Sequence, residues 1–225
     1  MYKYLLFDAD NTLLDFDAAE KQALRETLNA SPLGFSDEIH SRYHIINDNE
    51  WKKLERGETT REKLAVERFV RLYGEFGMDG NEYGAATAKI YTDNLAHQYQ
   101  LMPNAEQVLD TLSRKGYMIY IVTNGITKVQ NSRMKNTPLE KFVLRSFISQ
   151  EMSCAKPSPV FFDKVTEFIG DSDRTKYLVI GDSETGDIAG AVNAGMDSVR
   201  VTNGRDVQTA ATYTVRELTE LYNIL

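Results

Sequence analysis

The chain has 225 residues, 42% of them hydrophobic, which is enough to bury a sizeable core and excludes disorder as its global state. Its formal net charge of −7 excludes a general nucleic-acid binder, which needs an excess of Lys and Arg, so any anionic ligand has to be met by a local positive site. A single cysteine, Cys154, excludes an internal disulfide, and no apolar run is long enough for a signal peptide or a membrane span; together these predict a cytoplasmic protein with an inert thiol.

In chain order, residues 4–7 are a short apolar run and read as a buried parallel strand. The interval 15–97 then shows helix patterns and no convincing strand, with helices expected over 15–29, 36–54, about 60–74 and 83–97. Thr59 with Glu62 resembles a capping box for the third of these, and Gly74 or Gly77 could end it. Past this interval, Asn104 with Gln107 looks like a second capping box, Val108, Leu109 and Leu112 form an apolar stripe, and Gly116 suits a left-handed stop. Further strands are expected at 118–122, 145–149, 178–180 and 198–201; Pro159 and Gly170 bracket one more helix, and 187–194 with Gly195 another. Strands alternating with helices from residue 100 onward imply an α/β fold, a Rossmann-like parallel sheet with helices on both faces. The helical stretch is then an inserted domain, giving a core of 1–14 and 98–225 and an all-helical insertion of 15–97.

Chemistry-bearing residues cluster where strands end. Phe7-Asp8-Ala9-Asp10-Asn11-Thr12-Leu13 sets two carboxylates and a hydroxyl directly after the first strand, at the sheet edge where open α/β folds bind ligands. Alone, Asp-x-Asp begins many solvated turns. Val179-Ile180-Gly181-Asp182-Ser183-Glu184-Thr185-Gly186-Asp187 repeats the theme after another strand, although an Asp there also serves as an ordinary helix cap. Carboxylates gathered at one edge repel and need a cation or a shared proton, and oxygen-only donors of this kind suit Mg²⁺. Thr123-Asn124-Gly125 offers donors to a phosphate, while Lys156, held extended by Pro157, offers an ammonium from a loop.

Asp-x-Asp-x-Thr, Thr-Asn, Lys-Pro and Gly-Asp-Ser with a later Asp, in that order, resemble the haloacid dehalogenase superfamily of phosphohydrolases, whose helical cap is inserted where this chain has its helices. The resemblance implies Asp8 as nucleophile, Asp10 as general acid and then base, and Thr12 as a brace of the loop. It implies Thr123 and Asn124 as phosphate contacts and Lys156 as the neutralising cation. Mg²⁺ would be held by Asp8, the Asp10 main-chain carbonyl and Asp182, with Asp187 supporting the metal or Lys156 from nearby.

Asp10 sets the chain apart from the dehalogenase branch, which lacks an acid–base Asp there. The first motif, with Thr123-Asn124-Gly125 followed by Ile126-Thr127-Lys128-Val129-Gln130, is similar to the noncanonical pyrimidine 5′-nucleotidases. That likeness implies a nucleoside monophosphate as the small phosphorylated partner, with no nucleic acid polymer or membrane, and a monomer or homodimer. Phosphoglycolate and sugar phosphates are the alternative substrates. A non-catalytic receiver-like phospho-acceptor is the alternative of another class, disfavoured by Asp10 and by the insertion. Substrate choice would reside in the inserted helices, closing over the site. Tyr43, Trp51, Phe69, Tyr73 and Tyr91 could stack on a base there, although aromatics at helical spacing are read first as core. His40, His44 and His97 form no metal cluster by spacing, and the first two read as one helix face.

Overall fold

In chain order the elements are β1 (Tyr4–Phe7), α1 (Phe16–Leu28), α2 (Asp37–Glu55), α3 (Arg61–Glu75), α4 (Gly80–Leu95), α5 (Ala105–Arg114), β2 (Met118–Thr123) and α6 (Thr127–Lys135). There follow β3 (Val143–Ile148), α7 (Ser149–Met152), α8 (Pro159–Ile169), β4 (Tyr177–Gly181), α9 (Ala189–Asn193), β5 (Asp197–Val201) and β6 (Tyr213–Val215). The computed structural model describes residues 1–225. It divides them into one unit of Met1–Phe16 with Tyr99–Leu225 and a second of Asp17–Gln98.

The first unit is built on a six-stranded sheet of order β3-β2-β1-β4-β5-β6, with every neighbouring pair parallel. This is the α/β architecture expected. Apolar residues on both faces of β1 explain its unbroken hydrophobic run. Leu5 and Phe7 pack with Val108, Leu109 and Leu112 of α5, while Tyr4 and Leu6 pack with Phe161, Phe162 and Val165 of α8. Each such side chain taken from water contributes about 1.5–3 kcal/mol. Sheet order reverses at β1: the chain moves outward through β2 and β3, then returns to place β4 on the other side. Register sets Phe7 level with Ile121 of β2 and Ile180 of β4, so the residues that follow all three strands emerge at one edge.

Several boundaries differ from expectation for local reasons. β3 begins two residues earlier than expected, because its pairing with β2 starts at Val143, and Ser149 already opens α7. The three-residue strand β6 was not expected; two of its residues are exposed, leaving no apolar run to read. Neither expected capping box forms. Asn104 takes a left-handed backbone (φ 63°) with no side-chain cap bond, and the cap of α3 is Thr60, one residue on, whose hydroxyl accepts from Lys63 N at 3.4 Å. Pro159 does open α8, and Gly170 closes it at φ 80°.

The second unit is helical. Tyr43, Phe69 and Tyr91 meet ring to ring at 5.2–5.4 Å, and Tyr73 binds the Thr87 hydroxyl at 3.0 Å. These four aromatics are fully buried, so they are core and not a base-stacking surface; Trp51 is half-buried. A polar chain also crosses this interior: the buried Glu20 carboxylate accepts from Asn47 Nδ2 at 2.8 Å, and Asn47 Oδ1 accepts from Arg68 Nη1 at 2.9 Å. The Arg68 guanidinium lies over Tyr91 at 4.7 Å. A buried carboxylate or guanidinium is costly without such partners. His44 Nδ1 donates to Glu20 Oε1 at 2.8 Å, and that bond raises its pKa; burial lowers that of His40, 3.8 Å from the same oxygen. These two histidines therefore serve a carboxylate on α1, while exposed His97 bonds the Asp93 carbonyl. No helix is long and apolar enough to cross a membrane.

Candidate active site

All the expected site residues lie in the sheet-bearing unit. Asp8 follows β1, and its backbone N–H donates to Ile180 O of β4 at 2.8 Å, which locks the carboxylate to the sheet edge. The turn behind it is held by Leu13 N and Leu14 N on Ala9 O, at 3.0 and 2.8 Å, and by Asn11 N on Leu14 O at 2.7 Å. Thr12 is fully buried in this turn. Its hydroxyl has no partner, so it acts through packing, and the backbone bonds do the bracing.

Lys156 is the hub. Only 3% exposed, it directs Nζ to Asp8 Oδ1, Asp187 Oδ1 and Val122 O, each at 2.6 Å. An ammonium has three hydrogens, and all three are used. The backbone carrying it is fixed by Asn124, whose amide donates to Lys156 O at 2.8 Å while its Oδ1 accepts from Lys156 N at 3.0 Å. Asn124 thus ties the end of β2 to the Lys156 loop. Thr123 beside it is buried, with its Oγ1 accepting from Gly125 N at 3.0 Å.

Asp187 lies against Lys156, one of the two places expected for it. It is fully buried in the π-helical turn Glu184–Ile188, one oxygen on Lys156 and the other accepting from Ser183 N at 3.0 Å. Gly181 makes this possible, since a Cβ there would lie 2.1 Å from Asp187 Oδ2. Oxygens of Asp8, Asp182 and Asp187 all lie within 4.8 Å of one another. Burial pushes the Asp8 carboxyl well above its ordinary range; Lys156 opposes the rise, and Asp187, Asp182 and Asp10 add to it. Burial and then Asp187 push Asp182 up to about 7, against the pull of Arg200 and Lys156. Burial works against the charge on Lys156, but Asp187 and Asp8 outweigh it and hold the ammonium proton more firmly than usual. Three carboxylates so close, with one ammonium bonded among them, leave a deficit of positive charge as they ionise. A divalent cation matches that deficit, and hard oxygen donors are what Mg²⁺ takes.

The Asp10 side chain is turned to a different set of partners. Gln130 Nε2 donates to its Oδ2 at 2.5 Å, and Arg133 Nη1 donates to its Oδ1. Arg133 is wholly buried, and no local sequence pattern marks its bond to Asp10, 123 positions away. The i, i+3 spacing on α6 puts both on one helix face, and a buried arginine needs an acidic partner. Cys154 is partly buried and unpaired.

Residues 2–195 match the haloacid dehalogenase-like hydrolase family. The chain is 38% identical over 198 residues to the pyrimidine 5′-nucleotidase PynA of Streptococcus pneumoniae, covering 88% of this chain and 83% of that one. It is 30% identical to the pyrimidine 5′-nucleotidase YjjG of Escherichia coli, covering 100% and 98%. The solved structure of the HAD-hydrolase YfnB from Bacillus subtilis bound to magnesium superposes with a TM-score of 0.91 at 35% identity, over 100% of this chain and 98% of that one. With its sheet order, the strand-end carboxylates and the matched residues in agreement, the chain belongs to the haloacid dehalogenase-like hydrolases.

Proposed function

We propose that this protein is a magnesium-dependent phosphatase of small phosphate monoesters, acting through an aspartyl-phosphate on Asp8, with nucleoside 5′-monophosphates, pyrimidine ones foremost, as substrates. The observation that carries the reading is the buried Lys156 ammonium bridging Asp8 and Asp187, with Asp182 close enough to share one ion. The substrate class rests on likeness to two relatives named pyrimidine 5′-nucleotidases. Asp8, Asp182 and the Asp10 main-chain carbonyl would hold the ion, with Asp187 beside them. When bound, Mg²⁺ supplies positive charge that offsets the phosphate dianion and the Asp8 carboxylate.

Asp8 attacks phosphorus, forming a carboxyl O–P bond as the ester P–O bond breaks; Asp10 gives its proton to the departing alkoxide. In the second step Asp10 takes a proton from water, water oxygen bonds to phosphorus, and the Asp8 O–P bond breaks, freeing phosphate and restoring both carboxyl groups. Lys156 stays charged throughout and offsets the phosphoryl charge electrostatically, with the Thr123 hydroxyl and its adjacent backbone as contacts of the phosphoryl oxygens. Proton transfer of this kind contributes about 10²–10⁴-fold. We assign the protein to the cytoplasm and its substrate choice to the helical unit.

The test is a turnover screen of nucleoside monophosphates, sugar phosphates and phosphoglycolate, with Mg²⁺ and with chelator. Pyrimidine nucleoside monophosphates should give the highest kcat/KM, lost on chelation. Preference for sugar phosphates or phosphoglycolate would move the substrate assignment, and no turnover of any ester would favour a receiver-like acceptor.

A further inference from the structure

We propose that Gln130 and Arg133 are positioning residues for Asp10, gripping both oxygens of its carboxyl group and fixing the direction in which it exchanges a proton with leaving group or water. The proposal rests on the acid–base role assigned to Asp10 above.

Three observations carry it. First, each Asp10 oxygen has its own donor, Gln130 Nε2 on Oδ2 and Arg133 Nη1 on Oδ1, both from one face of α6. The Asp10 side chain is 26% exposed, so without these bonds its carboxyl group would sample several rotamers. Second, both donors are themselves immobilised: Gln130 is 2% exposed, and Arg133 is wholly buried with its guanidinium 5.9 Å from the Phe16 ring. Third, the backbone is shaped to let Gln130 through. A Cβ at Gly125 would stand 2.2 Å from Gln130 Nε2 and 2.7 Å from its Cγ, so the amide reaches Asp10 only because residue 125 carries no side chain.

Gln130 also suits a group whose proton comes and goes. Its Nε2 donates to the carboxylate, and its Oε1, buried without a partner, becomes an acceptor for the carboxylic O–H when the amide turns over. Arg133 has no acceptor and donates to Oδ1, which remains an acceptor as the carbonyl oxygen when the proton sits on Oδ2. The bonds that hold Asp8 and Asp187 come from Lys156 and Ser183, while Gln130 and Arg133 reach Asp10, so the pair acts on the reaction through Asp10.

The experiment compares kcat/KM for p-nitrophenyl phosphate and phenyl phosphate in the wild type, Gln130→Met, Arg133→Lys, Arg133→Met and Asp10→Asn, with Mg²⁺ present and thermal melts alongside. This parameter reports the transfer to Asp8, and p-nitrophenolate leaves with little help from an acid while phenolate needs it. Gln130→Met should lower kcat/KM at least about tenfold more for phenyl phosphate than for p-nitrophenyl phosphate, within the range general acid catalysis commands. Arg133→Met should do the same, with Arg133→Lys recovering part of the loss. Equal losses on both esters would mark a merely structural role and overturn the proposal. Gln130→Met keeps the test decisive if Arg133→Met fails to fold. If Asp10→Asn itself leaves the ratio of the two esters unchanged, the acid–base reading of Asp10 falls and this inference with it; if only Asp10→Asn changes it, the inference alone falls.

Discussion

Lys156 shows how a single side chain can organise a site before any ligand arrives. A lysine buried in apolar surroundings tends to lose its proton, yet two carboxylates at 2.6 Å reverse that tendency and keep the ammonium charged. Its position depends on Asp187, and Asp187 depends on the bare backbone at Gly181. Gly181→Ala should therefore displace the Asp187 carboxylate and loosen Lys156. The expected outcome is a loss of about 1–3 kcal/mol in stability, as for other overpacked sites, and roughly a hundredfold loss of kcat, as for misplacement by an ångström. A thermal melt with steady-state kinetics checks both; an alanine variant with near-normal turnover would show that the Asp187 to Lys156 contact is dispensable.

At the scale of elements, what the sequence revealed follows how much of each element is buried. The strands β1, β2 and β4 were legible because they are apolar on both faces, β5 through its buried Val199 and Val201, and α8 because Pro159 and Gly170 mark its ends. β3 and β6 sit at the two edges, where half the side chains face solvent and the apolar run breaks up. Capping motifs misled because Thr59 and Thr60 are chemically alike, and only backbone geometry chooses between them. The strand-end acids were legible from residue type and position. The Gln130 and Arg133 grip on Asp10 was not, since pairing between residues more than a hundred positions apart leaves no local pattern. The same holds for the Glu20, Asn47 and Arg68 chain in the helical unit, whose members lie on three different helices.

For the whole molecule, parallel strands bring residues from the beginning, middle and end of the chain to one edge, where an acidic protein of net charge −7 has to handle an anion. On the proposed mechanism it does so through a local deficit that a cation fills. Without the ion, the raised pKa of Asp8 and Asp182 makes ionisation costly: the penalty is absent below their unfolded values near 4, grows as pH rises, and for Asp182 levels off above about 7. Ion binding relieves that penalty and must displace protons at lower pH. Saturating Mg²⁺ should consequently raise Tm by more at about pH 8 than at about pH 5.5, by a few degrees in difference; an equal gain at both would place the ion away from these carboxylates. The central claim, that Asp8 takes the phosphoryl group, is tested most directly by acid-quenching the enzyme during turnover of a radiolabelled phosphate monoester with Mg²⁺ and mapping the label. The account predicts an alkali-labile acyl phosphate on the peptide containing Asp8, absent in Asp8→Asn, which is also inactive. Label on another residue, or near wild-type turnover by Asp8→Asn, would contradict it.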